Sequence, residues 1–349
     1  MAIPSIFDQP KYKLKVHVHD TTTGHLHDLS EAVESVTWQT HRIVSQPGTL
    51  EVVVKEGIKE SDIVIHPGSF IRFGVNGEDY FYGNIKEPQM SNAAMEGVRY
   101  ILKAYDHKAL LKSTESRYRP VGMTASEFFG ETITWFNAKT QPMGDPGILW
   151  DVREPSIARL DDYYFPTYTL YNMFKQSMTE THAAEAGNAI YMIRDNLGTL
   201  EWRELKALRK PYILGDESYT DSYTYSNTLQ ESYNVIKVIR DNADLGMRDA
   251  WIKYDSTNIA RWRHRQLTLE ADDFMTDDEI EAMIDLYLAA KNRTNRSLKM
   301  VCVGINGLQA GDGIQVKANR ARIDHAMWVE ECTHHYTTDS HMMDLSLFV

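Results

Sequence analysis

"GSFIRFGVNGEDYFYGNI", residues 68–85, decides the fold class. Asn76-Gly77 stands between two runs in which apolar and polar residues alternate. A two-residue hairpin turn needs positive φ at both central positions, which Asn and Gly tolerate best, so the stretch predicts a β-hairpin. Upstream, "YKLKVHVH" and "SVTWQTHRIV" alternate with period two, and "GTLEVVV" follows Pro47-Gly48 as a third short strand. Downstream, "VRYILKAYDH" closes the set. Short strands separated by turn residues predict a small β-barrel or sandwich over residues 1–112.

Residues 113–213 differ in character. Most of the prolines lie here, and "TASEFFGETITWFNA" opens with a capping box, Thr124 with Glu127, ahead of apolar residues. "TLYNMFKQSMTETHA" predicts a second helix, and "NAIYMIRDNLGTLEWREL" a hairpin turning at Asp195 to Gly198. This region reads as an α+β insertion. From 214 to 349 strands return, as "NVIKVIRD", "DAWIKYDS", "LKMVCVGI", "DGIQVKA", "HAMWVEECTHHY" and "HMMDLSLFV". One helix is inserted at about 276–293, with a capping box of Thr276 and Glu279 and an apolar stripe at Ile280, Met283, Ile284 and Tyr287.

The opening hairpin has an echo. With Gly68 set on Gly311 and no gap, Ile71 meets Ile314, Phe73 meets Val316, Ile85 meets Trp328 and Leu102 meets Leu345. Alternating segments in phase match easily. The shared order carries more weight: glycine turn, strand, polar turn, strand, loop, closing strand. It predicts a duplicated β-barrel, so the fold class expected is mainly β with an α+β insertion between two similar small barrels.

These residues resemble a known family. "SVTWQTHRIVSQPGTLEVVV", "HPGSFIRFGVNGEDYFYGNI" and "YILKAYDHKALL" are similar to the first barrel of phage baseplate hub proteins. "RTNRSLKMVCVGINGLQAGDGIQV" and "MWVEECTHHY" with "HMMDLSLF" are similar to the second. The nearest branch is the XkdQ/YqbQ-like one of contractile phages, defective prophages and tail-like bacteriocins, distantly related to late-control protein D hubs. One departure is visible: the family's Gly-Asp turn is present as Gly311-Asp312, but the first set has Gly68-Ser69. The resemblance implies a homotrimer whose six barrels join a hexameric tail tube protein to a trimeric spike protein, among other baseplate proteins. A threefold object can mate with a sixfold one only if each subunit presents the mating feature twice. Assembly in the bacterial host cytoplasm and residence in the baseplate of the released particle are implied with it.

Composition fits such a role. The chain has 349 residues and a formal charge of −12, which disfavours specific nucleic-acid binding, since phosphate contacts require Lys and Arg. An acidic lumen would not grip passing DNA. No run of about 18 apolar residues suggests membrane insertion, and no basic n-region with an apolar stretch suggests a signal peptide. Cys302 and Cys332, in apolar strand-like surroundings, read as small buried hydrophobes.

Candidate chemistry is sparse. In "VHVHDTTTGHLHDL", residues 16–29, a hairpin with His19 opposite His25 and His17 opposite His27 would gather four imidazoles for zinc. A one-residue slip would separate them, and a solvated hairpin is the favoured reading. Cys332, His334, His335 and His341 mix ligand types, but the strand echo explains them as structural. "RWRHRQ", Arg261 to Gln266, is a short basic-aromatic patch, read as a solvated strand face or subunit contact. There is no Gly-x-Ser-x-Gly, phosphate-cradling loop or His-Glu-x-x-His. A tail-associated peptidoglycan hydrolase is the alternative; Asp161-Asp162 beside Tyr163-Tyr164 would be its most suggestive acids, read here as a solvated loop. Trp135, Trp150, Tyr163 and Tyr164 are candidates for carbohydrate binding, though the insertion's core needs aromatics as well. The sequence therefore assigns no catalytic residue, cofactor or metal.

Overall fold

The computed structural model describes residues 11–55, 64–93, 97–185, 189–216, 219–242, 247–271, 275–319 and 322–349. The first region holds β1 (Leu14–His19), β2 (Leu26–Asp28), β3 (Val33–His41), β4 (Thr49–Lys55), β5 (Phe70–Val75), β6 (Glu78–Ala93) and β7 (Gly97–Tyr105). The middle region holds β8 (Thr114–Arg119), β9 (Met123–Thr124), α1 (Ala125–Thr140), β10 (Leu149–Val152), β11 (Arg159–Leu160), β12 (Tyr163–Thr169), α2 (Leu170–Ala184), β13 (Tyr191–Asn196) and β14 (Thr199–Glu204). Then follow β15 (Arg209–Gly215), β16 (Tyr219–Thr228), β17 (Val235–Asn242), β18 (Met247–Tyr254), α3 (Ser256–Trp262), β19 (Gln266–Glu270) and α4 (Asp277–Lys291). The chain ends with β20 (Asn295–Val303), β21 (Gly313–Ala318), β22 (Ile323–Tyr336) and β23 (His341–Phe348).

The opening hairpin forms as its turn chemistry requires. Val75 pairs with Glu78, and Asn76 and Gly77 take φ of 53° and 93°. The same device works at the second hairpin, where Asn196 pairs with Thr199 around Leu197 and Gly198 at 51° and 97°.

A thirteen-stranded sheet runs β16-β20-β23-β22-β3-β4-β7-β6-β5-β1-β2, with β21 beside β22 and β15 beside β21. Two sets of strands within it share one pairing order. β4 pairs β7, β7 pairs β6 and β6 pairs β5; likewise β20 pairs β23, β23 pairs β22 and β22 pairs β21, all antiparallel. The registers coincide: Phe70 faces Asn84 and Asn84 faces Tyr105, as Gly313 faces Trp328 and Trp328 faces Phe348. Even the irregularity repeats, with a bulge between Ile85 and Glu87 and another between Val329 and Glu331. Gly68 N donates to Ile85 O as Gly311 N donates to Val329 O, both at 2.7 Å.

One expected correspondence is corrected by these registers. Ile85 corresponds to Val329, not Trp328, because the two hairpins differ in turn length and Tyr80 is an extra, bulged residue in the first. The barrels are not closed by hydrogen bonds among the described residues. Instead β22 runs out of its own set and pairs β3, so the sets are two halves of one continuous sheet. The last strands of the sets also differ: β1 lies antiparallel to β5, but β15 lies parallel to β21.

Each half buries its own core, with Val16, Trp38, Leu50, Phe73 and Ile85 in one and Leu298, Cys302, Ile314, Val329 and Leu345 in the other. The free thiols of Cys302 and Cys332 are both buried. The middle region packs α1 and α2 around Phe129, Phe174 and Trp202, and α1 carries the expected capping box of Thr124 and Glu127. Its Met192, with Leu205 and Leu208, packs on Trp328 and Phe348 of the second half.

Strands β17, β18 and β19 do not join the large sheet. They form a sheet of their own, β18-β17-β19, on which α4 lays Ile280 and Ile284 over Ile236 and Val238. The helix expected near 276–293 is therefore α4; the side chain of Glu279 lies outside the described residues. "RWRHRQ" is not one strand face: Arg261 and Trp262 end α3, and Arg263 turns the chain at φ 68°. Arg265 then ties the turn down by donating to Ser232 O and Leu229 O.

Candidate functional site

The feature that sets this sheet apart is the seam where β22 meets β3. Residues 331–336 pair with residues 41–36, with Cys332 opposite Thr40, His334 opposite Trp38 and Tyr336 opposite Val36. Alternation sends Cys332, His334 and Tyr336 inward, and all are fully buried. Outward residues form a polar lattice: Gln39 donates to Glu331 and Arg42 grips Glu330 at 2.6 and 3.2 Å. Ala310 N also donates to Thr40 Oγ1 at 2.9 Å.

Inside the seam, the His334 ring stacks on Trp38 with centroids 4.8 Å apart. Its Nε2 lies 2.7 Å from Leu308 O, a group that can only accept, so that nitrogen carries the proton. Nδ1 is then the acceptor for His341 Nε2 at 2.9 Å, which fixes the second ring as well. His341 stacks on Tyr336 at 3.8 Å. Burial favours neutral imidazoles, holding His334 down at about 4 and His341 lower still. The Cys332 thiol, 3.1 Å from His334 Nε2, is pushed far up by burial and is no nucleophile. His335 faces outward to Asp344 at 3.0 Å. The four residues are thus divided between two faces of the sheet. A Cβ on Gly304 would come within 2.1 Å of the His341 ring. Gly304→Ala is expected to lower stability by roughly 1–3 kcal/mol, read from a urea midpoint.

The N-terminal histidines do not converge. His17 faces Asp28, His19 faces Leu26, and His27 faces Val18, one residue away from the register that zinc would require. The cause is Asp20, a buried carboxylate that accepts from Thr22 N, Thr23 N and both His66 N and Nδ1. These donors, with the His66 ring foremost, hold its carboxyl far below the usual range. His25 stacks on His27 instead. Among the described residues, no group of three or more His, Cys, Asp or Glu is placed to hold a metal.

The remaining candidates fall apart in the same way. Asp161 and Asp162 are exposed; Arg119 donates to Asp161 O, and Tyr118 to the Asp162 carboxylate. Tyr163 packs on Phe165, whereas Tyr164 is exposed. Trp135 and Trp150 do line one open groove, of about 690 Å³, together with Arg117, whose guanidinium lies over the Trp135 ring.

The match to a protein family covers residues 36–348, from the middle of β3 to the last strand, and so spans the duplicated sets and everything between them. The chain belongs to the YqbQ-like family. Among solved structures, the 43 kDa tail protein of prophage MuSo2 from Shewanella oneidensis is similar at 11% identity and a TM-score of 0.69, covering 96% of this chain and 98% of that one. A tail protein from Neisseria meningitidis is similar at 12% identity and 0.62, with 96% of each chain covered. A chain of the Francisella PdpA–VgrG complex gives 9% and 0.56, covering 97% of this chain and 58% of that one. No curated protein sequence matches. The YqbQ-like chain therefore has the fold of phage tail proteins, and in this chain the β22–β3 seam joins strands that no local sequence pattern pairs. The signal was present: β22 is too long to be used up by β21 alone.

Proposed function

We propose that this chain is a structural baseplate hub, a trimeric adaptor between a hexameric tail tube and a trimeric spike, working through interfaces and not through catalysis. The observation that carries the reading is the duplicated strand set, repeated in register down to its bulge. Three chains would offer six such sets to a sixfold tube while keeping a threefold side for the spike. Family membership and the tail-protein fold support the setting, and likeness to a chain of the PdpA–VgrG complex supports a spike partner. On this reading the chain assembles in the host cytoplasm and is then carried in the baseplate. The test is native mass by light scattering, alone and with the spike protein. A trimer in either sample is expected; a monomer in both overturns the proposal.

A further inference from the structure

The seam inside the chain leaves its counterpart open. β22 uses one edge twice, first for β21 and then, past the bulge, for β3. Its equivalent in the first half is β6, which pairs β5 on that edge only as far as Asn84. Past the second bulge, residues 87–93 of β6 pair β7 on the other edge and, among the described residues, no strand on this one. The equivalent of β3 in the second half is β16: Trp38 faces Leu50 of β4 as Tyr225 faces Leu298 of β20. β3 continues to β22, whereas β16 ends the sheet.

We infer that residues 87–92 of β6 pair antiparallel with β16 of a second copy of this chain, repeating between chains the β22–β3 seam found within one. The register follows from the internal equivalence. Cys332 on Thr40 becomes Pro88 on Asn227, Thr333 on Gln39 becomes Gln89 on Ser226, and His334 on Trp38 becomes Met90 on Tyr225.

Two observations point to a strand from a second copy as the occupant. Met90 stands where buried His334 stands and is 67% exposed, an apolar side chain whose counterpart is covered by Trp38. Tyr225, half-buried on the second core, is placed to cover it. The backbone phase also agrees. Arg42 N donates to Glu330 O, so Cys332, His334 and Tyr336 turn their polar groups to β3, and position 90 turns its own to the open edge. Pro88, also in this phase, lacks a donor, so the edge forms one bond fewer than the seam and cannot pair promiscuously along its whole length. Each chain has one β6 edge and one β16 edge, a head-to-tail arrangement that closes into a ring when the rotation permits. Closure at three rests on the hub reading; the strand pairing does not.

Gln89 and Ser226 would be a non-hydrogen-bonded pair, with Cα atoms about 4.5 Å apart, within disulfide range. The full chain carrying Gln89→Cys and Ser226→Cys is oxidised mildly and run without reductant; Cys302 and Cys332 are buried and stay out of reach. Most of the chain is expected as a covalent trimer, with the single variants and the off-register pair of Gln89→Cys and Thr224→Cys at background. Met90→Pro, which removes only an outward donor, is expected to leave a folded monomer. A trimer by light scattering that does not cross-link overturns this pairing and leaves the hub reading standing. Cross-linked pairs that never reach three uphold the pairing and overturn threefold closure. A monomer that does not cross-link overturns both.

Discussion

Arg194→Met is expected to destabilise the protein by roughly 3–5 kcal/mol, the usual result of stripping one partner from a buried ion pair. Arg194 reaches from β13 of the middle region to Asp312, in the turn before β21, at 3.0 Å, and its Nε donates to Gln309 at 2.8 Å. Asp312 is fully buried, so without the guanidinium its charge is left with backbone partners such as Gln309 N. The first half shows how the same turn does without charge, since Ser69 stands at the equivalent position, also buried. Arg194→Met combined with Asp312→Ser should therefore recover much of the loss, because the uncompensated charge is gone. Urea midpoints for the two single variants and the double variant measure the coupling. Equal losses in Arg194→Met and the double variant would show that packing on β13, not charge, holds the middle region to the second half. The pair gives the buried charge of the Gly311-Asp312 turn a partner, where the Gly68-Ser69 turn carries no charge to be matched.

Local structure was legible in the sequence, and long-range pairing was not. Asn76-Gly77 and the Thr124–Glu127 box act within a few residues, and each formed as expected. The echo of Gly68 at Gly311 was readable for the same reason, since it compares two local patterns. Its phase over β6 was wrong by one because the second hairpin's turn is two residues longer and the bulged Tyr80 makes up only one of them, and neither leaves a mark in an alternating sequence. The histidine register failed on a similar point: Asp20 is set by His66, which lies 46 residues away. Strands β17, β18 and β19 alternate as well as any strand of the large sheet, and alternation says which face a side chain takes without naming the sheet. Aromatic candidates were divided by the same blindness, as Trp135 and Trp150 share a groove while Tyr163 serves the core.

Mild acid should open the seam. His334 and His341 are buried neutral, with folded pKa values below the 6.5 of an exposed imidazole, so below pH 6.5 the unfolded chain binds up to two protons that the folded chain refuses. Their contribution is complete above pH 6.5 and is lost as pH falls from there towards about 4, where His334 titrates in the folded state. At about 1.4 kcal/mol per unit for each ring, two rings give a loss of roughly 4 kcal/mol by pH 5. Asp106 works the other way over part of this range, because burial pushes its carboxyl up to about 7. The measurement is therefore a comparison of melting temperature against pH, from 7.5 to 4.5, between the native chain and His334→Phe with His341→Phe. The double variant leaves Leu308 O without its donor and should melt lower at pH 7.5, yet fall much less steeply on acidification. Parallel curves would mean that other groups govern the acid response. If the native curve alone is steep, the two imidazoles that lock β22 to β3 are also its weakest point at low pH. The inferred seam between chains, with Met90 and Tyr225 in place of His334 and Trp38, has no such group at its centre and should hold where the internal one yields.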